Sequence, residues 1–395
     1  VSDRKAAASP TPALCIIGTS DIRSWGLTPP ERTVRAFAQA GVSDLVSVAE
    51  VADCGRPVIC VRGDVVMDPP LVTALIEKPD IVLLAKDGER YRPGAVHASA
   101  ERASAAATIL STDNIADLDL KGFRLARPED MATVFWKKLR KRETPYALFM
   151  TSERQNDIEW RMFMGTYKGA TDFVTKYLWP RPAFYVTRAI APLGISPNMV
   201  TTLSAVCVVV AYFLFQEADW WSGLAAAWAM MFLDTVDGKL ARVTLTSSKW
   251  GDIFDHGIDL IHPPFWYAAW AIGLSRTDLA LSSGVLWSTI GVIFAGYMLQ
   301  RILEGISIKA FGLEIHIWRR VDTLFRQITA RRNPNIALLT LGTLIGRPDM
   351  GLIAVAVWVA VCLFLHTAQL LQAALANRRH GRITSWMSEP EAERA

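Results

Sequence analysis

Asp234, Asp237, Asp255 and Asp259 stand close together inside two otherwise apolar stretches of the chain. Carboxylates in segments apolar enough to cross a membrane are costly, and they mark a functional site by default. On a helix Asp234 and Asp237 are i and i+3, and Asp255 and Asp259 are i and i+4, so each pair shares a face. Two neighbouring helices can then bring all four together. Packed in a poorly hydrated site they repel one another unless protonated or bridged by a multivalent cation. Oxygen-only donors favour a hard cation, Mg²⁺ first, with Mn²⁺ or Ca²⁺ as alternatives. Gly238 and Ala241 remove side-chain bulk beside the acids, and Arg242 suits a bidentate grip on phosphate. Together these features point to a diphosphate substrate. The aspartates alone leave a second reading open, a cation or solute carrier that uses them as an ion path. His256 falls on a different helical face from Asp255 and Asp259, which favours packing or hydrogen bonding over ligation.

Positioning these groups requires a membrane. Of 395 residues, 51% are hydrophobic, too many for an ordinary soluble protein. The apolar residues concentrate beyond Pro197, where six spanning segments are expected at about 199–216, 222–243, 252–275, 282–303, 334–346 and 350–376. Arg and Lys gather in the loops Arg242–Lys249 and Arg301–Arg332 and at Arg378-Arg379, while the opposite loops hold only Arg276 and Arg347. By the positive-inside rule both termini face the cytoplasm, as does the acidic cluster. Val1–Pro12 is polar with no apolar run, so no secretory signal is expected. The five cysteines show no C-x-x-C spacing and imply neither disulfides nor zinc. A formal net charge of +4 gives no reason to expect a nucleic-acid partner.

Upstream, short β-like runs alternate with helix-like stretches over Leu14–Ile17, Thr33–Ala40, Asp44–Val48, Pro57–Val61, Leu71–Ile76 and Ile81–Leu84. That rhythm predicts an α/β domain with a mostly parallel sheet over residues 13–150. Ala95–Leu110 and Pro128–Arg142 read as further helices, the second with a basic end. Residues 151–190 mix Trp160, Tyr167, Tyr177 and Trp179 with Lys168, Lys176 and Arg188, which fits an amphipathic juxtamembrane helix. Residues 191–380 make up the membrane domain. The fold class is therefore multidomain, an α/β domain followed by an all-α six-helix transmembrane domain. Trp220, Trp221 and Trp250 read as interfacial anchors.

The run Asp234-x-x-Asp237-Gly238-x-x-Ala241-Arg242, eight residues, Gly251-x-x-x-Asp255-x-x-x-Asp259 resembles the CDP-alcohol phosphotransferase signature at every fixed position. Ser196-Pro197-Asn198-x-x-Thr201 is similar to the start of that family's first membrane helix. The resemblance implies an integral membrane enzyme, commonly a homodimer, that moves a phosphoalcohol group from a CDP-linked donor to a hydroxyl acceptor and releases CMP. It makes Asp234, Asp237 and Asp255 ligands of two metal ions and Asp259 a ligand or the general base. Gly238, Ala241, Arg242 and Gly251 would line the CDP site. Lys168, Lys176, Arg188, Asn198, Thr201 and Arg319 are candidates for the acceptor or its phosphate. The basic run from Arg319 to Arg332 also has a simpler reading, the positive-inside signal.

Leu14–Ala40 is similar to the opening of sugar-phosphate nucleotidyltransferases, and Val58–Pro69 to their metal-binding strand, with Arg23 and Asp64 as candidate site residues. Gly18 is followed by Thr-Ser-Asp rather than further glycines, and Glu31-Arg32 follows Pro29-Pro30 where that family has a lysine. An acid there repels a triphosphate, which favours a degenerate, structural or regulatory domain over a working cytidylyltransferase. The architecture resembles fused enzymes that make and use CDP-inositol.

Overall fold

The computed structural model describes residues 11–120, 122–132 and 135–388. The first ten residues, which carry most of the signal-peptide expectation, lie outside this set. The amino-terminal unit runs β1 (Ala13–Ile17), α1 (Pro29–Gln39), β2 (Val58–Arg62), β3 (Val65–Met67), α2 (Pro69–Glu77), β4 (Ile81–Asp87), β5 (Arg90–Ala98) and α3 (Ala103–Ser111). It continues through β6 (Arg124–Ala126), α4 (Pro128–Met131), β7 (Phe135–Trp136), β8 (Lys141–Arg142) and β9 (Ala147–Phe149).

The main sheet is mixed, not mostly parallel. β1 and β2 are parallel, as are β4 with β6 and β4 with β9, but β5 lies antiparallel between β2 and β4, and β3 is antiparallel to β9. Gly88-Glu89, with Gly88 at φ +63°, turns the chain straight back from β4 into β5. Glycine at the first of two turn residues is a hairpin signal, and the alanines after it obscure it. Ala95–Ala98 consequently belongs to a strand, and the helix starts only at Ala103. The expected helix over Pro128–Arg142 is also replaced, by the single turn of α4 and a separate β7–β8 hairpin. Lys137 to Arg140 make its turn, with Arg140 in the left-handed region at φ +48°.

Asp68, at the start of α2, is buried and accepts a hydrogen bond from the Tyr146 backbone N–H at 3.0 Å. Burial pushes its carboxyl up to about 7. Its stabilising contribution is therefore complete below the unfolded-chain value near 4 and is lost as pH rises through about 7. Asp68→Asn should flatten the fall in melting temperature between pH 4 and 8; an unchanged slope in circular dichroism melts would remove Asp68 as its source.

Beyond Phe149 the chain is helical: α5 (Gln155–Gly165), a π turn (Val174–Leu178), α6 (Pro180–Ile190), α7 (Pro197–Gln216), α8 (Trp220–Val243), α9 (Lys249–Leu274), α10 (Ser283–Phe311), α11 (Arg320–Phe325), α12 (Arg332–Leu344) and α13 (Pro348–His380). A helix stands at each of the six expected segments. By length and composition α7, α10 and α13 are apolar enough to cross a membrane. α8 and α9, of 24 and 26 residues, are both longer than α7 but carry the acidic motif. α12, at 13 residues, extends only about 20 Å. Trp266, Trp270 and Phe215 centre the core of this bundle. Trp220 stacks on Trp270 there, whereas Trp221 and Trp250 are exposed.

The two units share a core. Trp25, Tyr146 and Met150 pack in one cluster with Phe163 and Phe184 of α5 and α6 and with Val200, Val236, Leu240 and Val243 of α7 and α8. Beside it, α1 stands on the end of α8. Arg32 donates to the Val243 carbonyl, Arg35 to that of Thr244 at 3.3 Å, and Gln39 to that of Leu245 at 2.7 Å. These carbonyls lack helical partners, and cations are favoured at a helix carboxyl end.

Candidate active site

The α8–α9 hairpin forms the floor of the site. Ser248 caps α9 by accepting from the Gly251 N–H at 3.0 Å, which sets the phase of the second half of the motif. Carboxylate oxygens of Asp234, Asp255 and Asp259 lie within 4.8 Å of one another. Asp237 is next to them on the cavity wall, where its Oδ2 accepts from Thr201 Oγ1 of α7 at 2.6 Å. Its Oδ1 is buried without a partner. Three converging carboxylates and an orphaned fourth oxygen donor suit a hard divalent cation.

Arg332, the first residue of α12, donates to Asp234 at 2.6 Å and also pairs with Asp259. The guanidinium thus spans both acidic helices. A basic residue at the head of an apolar segment was readable as a topology signal only, because nothing local indicates which acid it meets. Asp259 sits where α9 loosens: Pro263 and Pro264 cannot donate to the carbonyls of Asp259 and Leu260. Tyr297 of α10 fills that gap with its hydroxyl, 3.5 Å from the Asp259 carbonyl and 2.9 Å from that of Leu260.

These residues line a cavity of about 520 Å³. Gly238, Ala241, Arg242 and Gly251 are all on its wall, with Lys168, Asn198 and Thr201. A Cβ on Gly251 would lie 3.1 Å from Asn198 Oδ1, and one on Gly238 3.0 Å from an Arg242 nitrogen, so both sites are tight for any side chain. Lys176, Arg188 and Arg319 are not in the lining. Lys176 lies over the Tyr177 ring, Arg188 pairs with Glu159 and Asn156, and Arg319 with Asp322 and Gln372. His256 is exposed, with Nδ1 2.8 Å from the Asp252 carbonyl oxygen.

Part of the wall is basic. Arg301 and Arg331 are tied to Glu304, which also meets His316 at 2.9 Å. Arg326 is buried, and its Nε and Nη1 have no hydrogen-bond partner. Burial pushes the Lys168 ammonium down to about 8, helped by the nearby Arg140 and Arg242. Sequence reasoning passed over Glu304, which falls one residue beyond the expected fourth segment, whereas the observed α10 runs on to Phe311 and includes it. Arg140 was missed because its segment read as a helix.

In the amino-terminal unit the sequence-level candidates are already engaged. Asp64 pairs with Arg62 at 3.1 Å, and Arg23 donates to the Gly26 carbonyl at 3.0 Å. Glu31 closes a capping box with Thr28, and Arg32 serves Val243. The acid that replaces the expected lysine thus has a local role at the start of α1.

Residues 194–330 match the family model described as CDP-alcohol phosphatidyltransferase. Cholinephosphotransferase 1 of Bos taurus is 36% identical over 89 residues, 21% of each chain. The bifunctional IPC transferase and DIPP synthase of Rubrobacter xylanophilus is 29% identical over 187 residues, 47% of this chain and 38% of the relative. An uncharacterized CDP-alcohol phosphatidyltransferase class-I family protein of Dictyostelium discoideum is 34% identical over 113 residues, 26% of each. The matches thus span between about a fifth and two fifths of these relatives' own lengths. With its fixed motif positions lining one cavity, the stretch from residue 194 to 330 is a CDP-alcohol phosphatidyltransferase domain within this chain.

Proposed function

We propose that the chain is an integral membrane transferase that moves a phosphoalcohol group from a CDP-linked donor to an acceptor hydroxyl, in phospholipid or inositol-phosphate type synthesis. The observation that carries this reading is the convergence of all four motif aspartates with Gly238, Ala241, Arg242 and Gly251 on a single cavity. Asp234, Asp237, Asp255 and Asp259 would hold two divalent cations, Mg²⁺ or Mn²⁺, whose charge offsets that of the diphosphate. Arg242 contacts the donor's phosphates, and the two glycines admit the nucleotide close to the backbone. Asp259 takes the acceptor's hydroxyl proton. The acceptor oxygen bonds to the phosphorus distal to cytidine, the bond from that phosphorus to the bridging oxygen breaks, and CMP leaves with the electron pair.

Arg326 on the cavity wall, with Nε and Nη1 free of hydrogen-bond partners, supports an acceptor that carries a phosphate or comparable anion. The bundle is read as six crossing helices, α7 to α10 with α12 and α13, over residues 191–380. The site faces the cytoplasm, residues 13–150 form a cytoplasmic domain joined through 151–190, and two chains form a homodimer. The amino-terminal domain is read as degenerate, which the engagement of Glu31, Arg32 and Asp64 supports.

The test is a radiolabelled CMP-release screen on the purified full chain, with CDP-diacylglycerol or soluble CDP-alcohols, Mg²⁺ or Mn²⁺, and candidate acceptors. Metal-dependent CMP release with a matching product by mass spectrometry is expected. Cation flux in proteoliposomes with no CMP release from any donor would replace this reading by the carrier.

A further inference from the structure

The cavity between the membrane helices is not built by those helices alone. The β7–β8 hairpin of the amino-terminal unit reaches it, and three fastenings hold it there. The carbonyls of Leu139 and Arg140 accept from the N–H groups of Gly169 and Ala170 at 3.0 and 3.1 Å. A Cβ at Gly169 would lie 2.5 Å from the Arg140 carbonyl oxygen, so the approach needs glycine. Phe135 packs into a small core with Leu313, Ile317 and Met387 of the helical half. Buried Lys141 donates to the Gly165 carbonyl and to Glu143.

At the tip, Arg140 adopts a left-handed backbone that costs a non-glycine residue about 1 kcal/mol or more. Glycine would fill such a turn at lower cost, so an arginine there is unfavourable unless its side chain makes useful contacts. That side chain is 16% exposed and lines the cavity. It meets Glu314, from the loop after α10, at 2.5 Å. Arg140 lines the same cavity as Lys168 and Arg326, whose Nε and Nη1 lack hydrogen-bond partners, and lies close enough for its charge to act on both. Three cations converge there: Glu314 meets Arg140 directly, whereas Asp172 and Glu304 act on Arg326, and Asp255 on Lys168, through their charge without an ion pair. Like charges left short of partners in a partly dry space are a standing cost that a bound anion relieves.

We propose that Arg140 is a substrate-binding residue of the membrane site: with Arg326 and Lys168 it holds an anionic group of the ligand, a phosphate or its equivalent, and Glu314 occupies that guanidinium while the anion is away. The amino-terminal unit thereby supplies part of the binding pocket. That the anion belongs to a transferase substrate rests on the reading above; the anion site itself does not.

Inorganic phosphate is the probe, titrated into the purified full chain in detergent with EDTA present, by calorimetry or by tryptophan fluorescence. Arg140→Ala should weaken phosphate about tenfold or more, the loss of one charge-assisted contact. Glu314→Gln should tighten it, because the guanidinium is released. A purely structural latch gives a different pattern, since both substitutions then break the same bridge and change phosphate affinity in the same direction. That result, or wild-type protein that does not bind phosphate at millimolar concentration, would overturn the proposal. In the CMP-release assay with a phosphorylated acceptor, Arg140→Ala should raise KM for that acceptor and leave KM for the CDP donor in place. Opposite-sign phosphate shifts without CMP release from any donor would sink the transferase reading and keep the anion site.

Discussion

Asp259→Asn should lower CMP release by about 10²–10⁴-fold, the range expected when a general base is removed. Asparagine keeps the size of the side chain and can still accept from Arg332, which also retains its 2.6 Å contact with Asp234. What it loses is the capacity to take a proton from the attacking hydroxyl. CDP binding and extraction as a monodisperse species should therefore change little. Near-wild-type turnover would refute the assignment of the base. Turnover and CDP binding lost together would reassign Asp259 to holding the donor and its cations.

Arg332→Met should have the largest effect on stability. Methionine preserves much of the volume but leaves Asp234 and Asp259 facing each other across two helices without the guanidinium that joins them. Removing one partner of a buried ion network costs about 3–5 kcal/mol, and the lower end applies because the Asp259 side chain is 40% exposed. In EDTA the apparent melting temperature should fall by roughly 3–6 °C. Millimolar Mg²⁺ should recover more of that loss in the variant than it adds to the wild type, since a cation and the guanidinium answer the same carboxylates. An unchanged melt in EDTA would show that the pairing contributes nothing to the fold.

The contrast between these two residues shows what could be read in advance. Asp259 announces itself, because an acid in an apolar helix is expensive and its i, i+4 spacing from Asp255 places both on one face by local geometry alone. Arg332 meets Asp259 across 73 positions of chain, and no periodicity encodes that distance. The strands β1, β2 and β4 were legible for the same local reason, as short apolar runs between turns. β5 was not, because its alanines suit a helix and only the neighbouring strands make it one of theirs. The β7–β8 hairpin is the extreme case: its basic run reads as the end of a helix, and its fastenings to Gly169 and to the core around Leu313 are all nonlocal. The site's acidic half is thus written in spacing, and its basic half in topology.

The seating of α1 against the end of α8 also bears on how the molecule is made. Arg32 precedes the carbonyl that it serves by 211 positions. At about 5–20 residues per second, synthesis therefore completes the donors roughly 10–40 s before the acceptors emerge. A template for the close of that acidic helix is ready before the helix itself has been translated, and the nascent segment can lodge against it on arrival.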